Sequence, residues 1–431
     1  MRIRLAYGKS GLWVDLPDGL RVQVIEPRAT PGLSDEPAAI RAALRAPMGT
    51  PPLRSLAGPA DSVAVVFSDL TRPMPNDRVL PVLLEELASA GVPDDKVVLV
   101  NALGTHRAQT ESELEGMLGR DVTGRYRVVQ HDAGDDSCLV EVTHNHTGRP
   151  VRINRAYLDA SVRILTGFVE PHFFAGFSGG PKAVLPGIAD QHSILENHGT
   201  EMIAHPNARW MVTDGNPIWE EMLGVALAAR PTFLLNVSLN AQRKVTGVFA
   251  GDLVKAHRAA VGWVRAAATC LVDDPFDIVI TSNSGYPLDL NLYQAVKGMS
   301  AAEQVVRQGG DIIVAAECWD GIPSHGEYRR LLWQAASPRD LLDRVLPAAG
   351  ACQDRWEAQI QAQVQGKAIV HLYADGLTED EVRSALLVPC RSIEATVASI
   401  LAKKDGATAA VLPDGPQAVP VLRVLGRGRA P

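Results

Sequence analysis

The chain has 431 residues, 46% of them hydrophobic and 21% charged, which is too long for one ordinary core and predicts two domains that need no disulfides. Its formal net charge is −7 (42 basic against 49 acidic residues) and no basic block stands out, which excludes the electrostatic footprint of a nucleic-acid binder. No apolar run approaches the ~18 residues of a membrane span, and the opening MRIRLAYGKSGLWVDLPDG lacks the apolar core of a signal peptide, so a cytoplasmic protein with no membrane partner is expected.

Residues 1–26 alternate as three short strands, IRLAY, LWVDL and RVQVIE, separated by Gly and Asp turns. A stretch rich in Pro, Ala and Gly follows, with one helix near Glu36–Arg45. An alternating pattern then begins. Strands are predicted at VAVVF (63–67), VVLVNAL (97–103), RILTGF (163–168), FLLNVSL (233–239), DIVITS (277–282), DIIVAA (311–316), AIVHLY (368–373) and AAVLP (409–413). Helices are predicted at Asp77–Gly91, Glu111–Leu118, Pro217–Ala229, Leu253–Thr269, Leu290–Gln308, Pro338–Ala348, Asp354–Val364 and Ser392–Lys403. This alternation is that of an α/β protein, with parallel or mixed sheets flanked by helices. The boundary falls near Asp273-Asp274-Pro275, dividing residues 1–272 from 275–390, with 392–431 a candidate return to the first domain. The closing GRGRAP reads as a frayed tail. Cys138, Cys270, Cys318, Cys352 and Cys390 are widely spaced without a CxxC pair, the usage of scattered thiols in a reducing compartment.

Ligands of open α/β sheets bind at the carboxyl ends of the strands, so the residues that follow each apolar run are the informative ones. After VAVVF come Asp69 and Arg72 in a loop stiffened by Pro73 and Pro75; the two side chains can pair with each other, or Arg72 can grip a carboxylate with its fork of donors. After VVLVNAL comes Gly104-Thr105-His106, a histidine placed to face a cleft with a side chain suited to proton transfer near neutrality. After RILTGF comes the densest stretch, with His172 between aromatics, the small residues Gly176, Ser178, Gly179 and Gly180, and then Lys182. Small residues there let backbone amides approach a ligand, although the GxxxxGK[ST] spacing of a P-loop is absent. His192, His198 and His205 follow, and spacing does not choose among them as a metal ligand. In the second half, DIVITS leads to a helix on which Tyr293 and Lys297 share a face and Gln294 lies one turn from Lys297.

Together SDLTRPMPN (68–76), ALGTHR (102–107), GFVEPHFFAGFSGGPKAVLPG (167–187), ENHG (196–199) and YQAVKG (293–298) closely resemble the lactate racemase family that uses a nickel-pincer nucleotide. The flanking YGKSG and GDIIVAAECWDGIPSHGEY resemble it too. The resemblance implies two α/β domains with the active site in the cleft between them, the first holding cofactor and catalytic residues and the second contributing substrate contacts. It implies a pyridinium-3-thioamide-5-thiocarboxylic acid mononucleotide binding nickel through sulfur, carbon and sulfur, with Lys182 the covalent tether and His198 the nickel ligand. His106 and His172 match the acid/base pair. Arg72, Gln294 and Lys297 match substrate-binding residues, supported by Asp69, Tyr293 and, in a looser alignment, Trp356. Gly176, Ser178, Gly179 and Gly180 are expected to seat the cofactor phosphate. The implied reaction interconverts D- and L-2-hydroxy acids, lactate or a larger or dicarboxylic relative such as malate. Other proteins must build and insert the cofactor.

The chemistry accounts for these residue types. Removing the Cα proton of a 2-hydroxy acid creates a carbanion beside a carboxylate, whereas removing hydride leaves a planar 2-keto acid. No side chain stores hydride, so a cofactor is required. Two bases serve the two enantiomers, and a cationic clamp holds the carboxylate. Two rival readings are a zinc hydrolase using His172, His198 and Glu170, which needs three convergent ligands, and a non-catalytic nucleotide binder, which needs neither His106 nor His172.

Overall fold

The computed structural model describes residues 1–324 and 326–423, and the expected frayed tail GRGRAP lies outside them. The chain divides into two bodies, one made of residues 29–198 and 204–267, the other of residues 1–28, 199–203 and those from 268 onward. Among the described residues no helix is long and apolar enough to cross a membrane.

The first body is built on a six-stranded sheet whose order from edge to edge is Val245–Gly251, Phe233–Leu239, Val162–Phe168, Val63–Ser68, Val97–Ala102 and Arg127–Gln130. Every neighbouring pair is parallel except the antiparallel edge pair Val245–Gly251 with Phe233–Leu239. The central strand Val63–Ser68 has Val63 through Phe67 fully buried, as a strand covered on both faces must be. The helix Asn76–Ser89 packs Val79, Leu80, Leu83 and Leu87 into this core beside Val65, Phe67 and Leu99. The register Ser68 opposite Ala102 makes these two strands end level.

The second body holds an all-parallel six-stranded sheet in the order Val388–Pro389, Ala368–Tyr373, Val306–Ala315, Phe276–Ser282, Thr408–Leu412 and Arg21–Val24. This differs from the expected division. Residues 1–28 belong here, not with the segment to 272, because Arg21–Val24 pairs with Thr408–Leu412 and Ile3, Leu5, Tyr7, Val14 and Leu16 pack against Ile278, Ile280 and Val411. The segment after 392 stays here as well: the helix Ile393–Leu401 buries Ile393, Val397 and Ile400 in this same core. The helix expected to run to Gln308 ends at Glu303, since Val306 already pairs with Phe276.

That helix, Leu292–Glu303, sits unusually close to the end of the strand Phe276–Ser282. Gly298 permits the approach: a Cβ there would lie 2.3 Å from the Ser282 carbonyl oxygen. The Gly298 amide, moreover, donates to Asn283 Oδ1 at 3.1 Å. Gly298→Ala should therefore push the helix off the sheet and lower stability by about 1–3 kcal/mol. An unchanged urea-unfolding midpoint would show that the contact has room to relax.

Candidate active site

Three adjacent parallel strands of the first body, Val162–Phe168, Val63–Ser68 and Val97–Ala102, release the functional loops from one edge of the sheet. Asp69 follows the central strand and is only 2% exposed. Its Oδ2 lies 2.6 Å from His106 Nδ1, and its Oδ1 accepts from the Thr71 hydroxyl at 2.8 Å. The Asp69–Arg72 pair that spacing allowed is not made: Asp69 pairs with His106, and Arg72 is exposed. Burial pushes the Asp69 carboxyl up, but the hydrogen bond and charge of His106, with the charge of Arg72 and the Thr71 hydroxyl, outweigh it and leave it below the usual carboxylate range. An ionised carboxylate on Nδ1 fixes the neutral imidazole with its proton there and its lone pair on Nε2, and the side chain remains 42% exposed.

The loop carrying His106 docks on the segment that carries Lys182. The Gly104 amide donates to the Gly187 carbonyl at 2.9 Å, and the Gly187 amide donates to the Lys182 carbonyl at 3.1 Å. His172 starts a short antiparallel pairing with Gly176. Its Nδ1 accepts from the amides of Phe174 (3.5 Å) and Ala175 (3.3 Å), which leaves the proton of its neutral ring on Nε2. The ring stacks on Phe173, with centroids 4.8 Å apart.

Phe174 is the hub of this site, and sequence reasoning treated it only as a flanking aromatic. The rings of His172 and His198 meet it edge-on at 4.4 and 5.1 Å between centroids, and Lys182 Nζ lies 5.5 Å from its centroid. Asn216, also missed, is fully buried and donates to the Phe174 carbonyl at 2.8 Å while capping the helix Pro217–Ala228. Its Asn-Pro start was legible as a helix cap; its reach back to Phe174 was not.

The three histidines left open as metal ligands differ in burial and in their partners. His192 is half-exposed and pairs with Glu196 at 3.1 Å, and His205 is exposed. His198 is 5% exposed. Burial, helped by the Lys182 charge, pushes its pKa down to about 3, so the ring is neutral. Its Nδ1 lies 3.1 Å from the Ile194 carbonyl, which accepts the ring proton and puts the lone pair on Nε2. A neutral imidazole anchored through its other nitrogen is the form a metal ligand takes. Among the described residues no three His, Cys, Asp or Glu side chains converge as a protein-only metal cage would require, so the zinc hydrolase set His172, His198 and Glu170 is not assembled.

The small-residue run is committed to packing. A Cβ on Gly176 would lie 2.1 Å from the Val212 carbonyl oxygen, and one on Gly179 2.8 Å from both Asn236 Oδ1 and the Phe168 carbonyl oxygen. The amides of Ser178 and Gly180 already donate to the Glu170 carbonyl and to Asn236 Oδ1, each at 2.9 Å. The Ser178 hydroxyl donates to the Phe168 carbonyl at 3.0 Å. These residues therefore shape the turn that presents Lys182, and the Ser178 and Gly180 amides are used within it.

In the second body, Trp356 is 8% exposed and its Nε1 donates to the Tyr293 hydroxyl at 3.0 Å. Lys297 Nζ donates to Gln294 Oε1 at 3.0 Å, and Tyr293 meets Tyr328 edge-on with centroids 5.5 Å apart. The four residues expected in this half thus form two touching pairs.

Comparison with known proteins identifies the family. Residues 7–211 match the lactate racemase N-terminal domain and residues 272–420 the lactate racemase C-terminal domain. The chain is 36% identical over 421 residues to a lactate racemase of Thermoanaerobacterium thermosaccharolyticum, covering 96% of this chain and 97% of that protein. It is 36% identical over 372 residues to a lactate racemase of Lactiplantibacillus plantarum, covering 86% and 87% of the two chains. The solved lactate racemase apoprotein from T. thermosaccharolyticum superimposes with a TM-score of 0.91 at 34% identity, covering 97% of this chain and 100% of that one. A Thermotoga maritima protein, at 19% identity and a TM-score of 0.67 over 92% of this chain, shares the fold. The chain belongs to the lactate racemase family and is a racemase.

Proposed function

We propose that this protein interconverts the D and L forms of a 2-hydroxy acid, lactate or a near relative, by moving hydride off and back onto Cα with the help of a nickel-pincer nucleotide. The observation that carries the reading is the gathering of Lys182, His172 and His198 around Phe174, beside a loop whose His106 is bound to a buried carboxylate. The donor set fits such a cofactor. Lys182 supplies an amine for a covalent tether, and His198 supplies one neutral nitrogen donor, which suits nickel when the remaining donors come from the cofactor itself. When bound, the nickel-pincer nucleotide supplies the hydride acceptor and donor that no side chain can provide.

The chain's own residues handle the proton and the carboxylate. As the substrate loses hydride from Cα, its hydroxyl loses a proton, and the product is a planar 2-keto acid. His106 Nε2 bears a lone pair and takes that proton, while Asp69 on the opposite nitrogen stabilises the imidazolium that forms. His172 serves as the acid when it carries a second ring proton, giving a proton to the oxygen as the alcohol is re-formed on the other face, and the proton left on His106 exchanges through solvent so that both rings return to their starting charge. For the opposite enantiomer the two exchange roles. Arg72, an exposed guanidinium at the same sheet edge, grips the carboxylate, and Gln294 and Lys297 are assigned to substrate with Tyr293 and Trp356 behind them. We place the protein in the cytoplasm, supported by its five free cysteines, and expect cofactor-synthesis and insertion proteins as its partners.

Lys182→Ala should carry no cofactor adduct in its denatured mass after expression with the cofactor-building proteins. An adduct on that variant overturns the tether. Asp69→Asn should still load cofactor but lose about 10²–10⁴-fold in kcat, since an amide stabilises neither the tautomer nor the imidazolium. A wild-type kcat would remove the Asp69–His106 pair from the mechanism.

A further inference from the structure

The turn that presents Lys182 is held by residues in and just after two strands of the sheet and by a helix. The strand side comprises the Glu170 carbonyl, the Phe168 carbonyl and Asn236. The helix is Leu253–Ala268, and from it His257 reaches the turn: its Nε2 lies 2.9 Å from the Ser178 carbonyl oxygen. The ring is 2% exposed. It fills the space over Gly180, where a Cβ would come within 2.5 Å of His257 Cδ2, and stacks on Trp219 with centroids 6.1 Å apart. Burial pushes the His257 pKa down to about 4, so at neutral pH the ring has a single N–H, and the carbonyl facing Nε2 places it there.

Gly179 and Gly180 both have positive φ, at 74° and 52°, and lead into the single short 3-10 turn Gly180–Ala183, in which the Lys182 amide donates to the Gly179 carbonyl at 3.1 Å. Bonds from outside the turn add to this one. The His257 bond acts on Ser178, at the entry to these two glycines, and the ring packs on the second of them. Pro181 follows and lines the same hollow as His257 and Trp219, so the helix braces the turn up to the residue before Lys182.

We propose that His257 is a positioning residue for the lysine tether: by donating Nε2–H to the Ser178 carbonyl and covering Gly180 it fixes the turn that holds Lys182 ready for derivatisation. This rests on the reading of Lys182 as the tether. His257 touches neither substrate nor the reacting atoms, so it governs how efficiently the chain becomes loaded and not how fast a loaded molecule turns over.

The test compares the wild type, His257→Gln, His257→Phe and Lys182→Ala, each expressed with the cofactor-building proteins. Adduct fraction is read from the denatured mass, turnover is normalised to adduct, and amide hydrogen exchange is measured across residues 177–187 of the unloaded chains. Gln keeps a donor at the position of Nε2; Phe keeps the flat ring without it. The expected result is wild-type-like loading for His257→Gln and at least fivefold lower loading for His257→Phe. Exchange should be faster in residues 177–187 of His257→Phe alone, and turnover per adduct unchanged. Should His257→Phe not fold, His257→Met replaces it. Equal loading of the wild type and His257→Phe overturns the proposal, as does equal loss in both His257 variants, which would mark a purely structural ring. An adduct that persists in Lys182→Ala overturns the tether reading itself, and the proposal with it.

Discussion

Everything at this site depends on three neighbouring parallel strands ending on one edge of a single sheet. Val162–Phe168, Val63–Ser68 and Val97–Ala102 are locked side by side by parallel ladders, and each runs into a functional loop. Because the ladder sets the register, the strands end level at Ser68 and Ala102, and Asp69 and His106 in the loops that follow meet at 2.6 Å. A slip of one residue would send each side chain to the opposite face and separate the carboxylate from the imidazole. The buried apolar faces of these strands, not any contact within the site, are what prevent the slip.

On that platform one residue type is put to different uses by its surroundings. His106 faces an ionised carboxylate and keeps an exposed edge. His172 receives backbone amides on one nitrogen and packs between phenylalanines. His198 is enclosed, tied to a carbonyl and kept neutral by burial and by the nearby lysine. His257, deeper still, serves the backbone. Imidazole is the side chain whose protonation and tautomer respond most readily to such differences near neutral pH. In the proposed reading these settings suit a base, an acid, a metal donor and a brace.

Much of this was legible in the sequence. Buried parallel strands read as unbroken apolar runs, so VAVVF, VVLVNAL and RILTGF were found almost to the residue. The hairpin Leu139–His144 with Pro150–Asn154 was not, because its first strand, LVEVTH, carries polar residues and only one fully buried position. The placement of residues 1–28 was not legible either, since Arg21–Val24 pairs with a strand nearly the whole chain away and no local pattern encodes so distant a partner. At the site, motif and strand-end logic found the reactive side chains but not their neighbours. That Asp69 pairs with His106 and not with the nearby Arg72 needed coordinates. The glycines suggested a ligand cradle, whereas Val212, Asn236 and His257 fill the space above them. Glycine records that something comes close; it does not say what.

The central claim, that inversion proceeds by hydride transfer, is tested most directly with one enantiomer of lactate deuterated at Cα, given to the cofactor-loaded protein in ordinary water. Malate, 2-hydroxybutyrate, 2-hydroxyglutarate and phenyllactate follow if lactate is not turned over. Chiral separation with mass detection reads both configuration and label. The account predicts the opposite enantiomer with deuterium still on Cα, because hydride leaves and returns without exchanging with solvent. Inverted product in which solvent hydrogen has replaced the deuterium would show that a proton is removed instead and would contradict it.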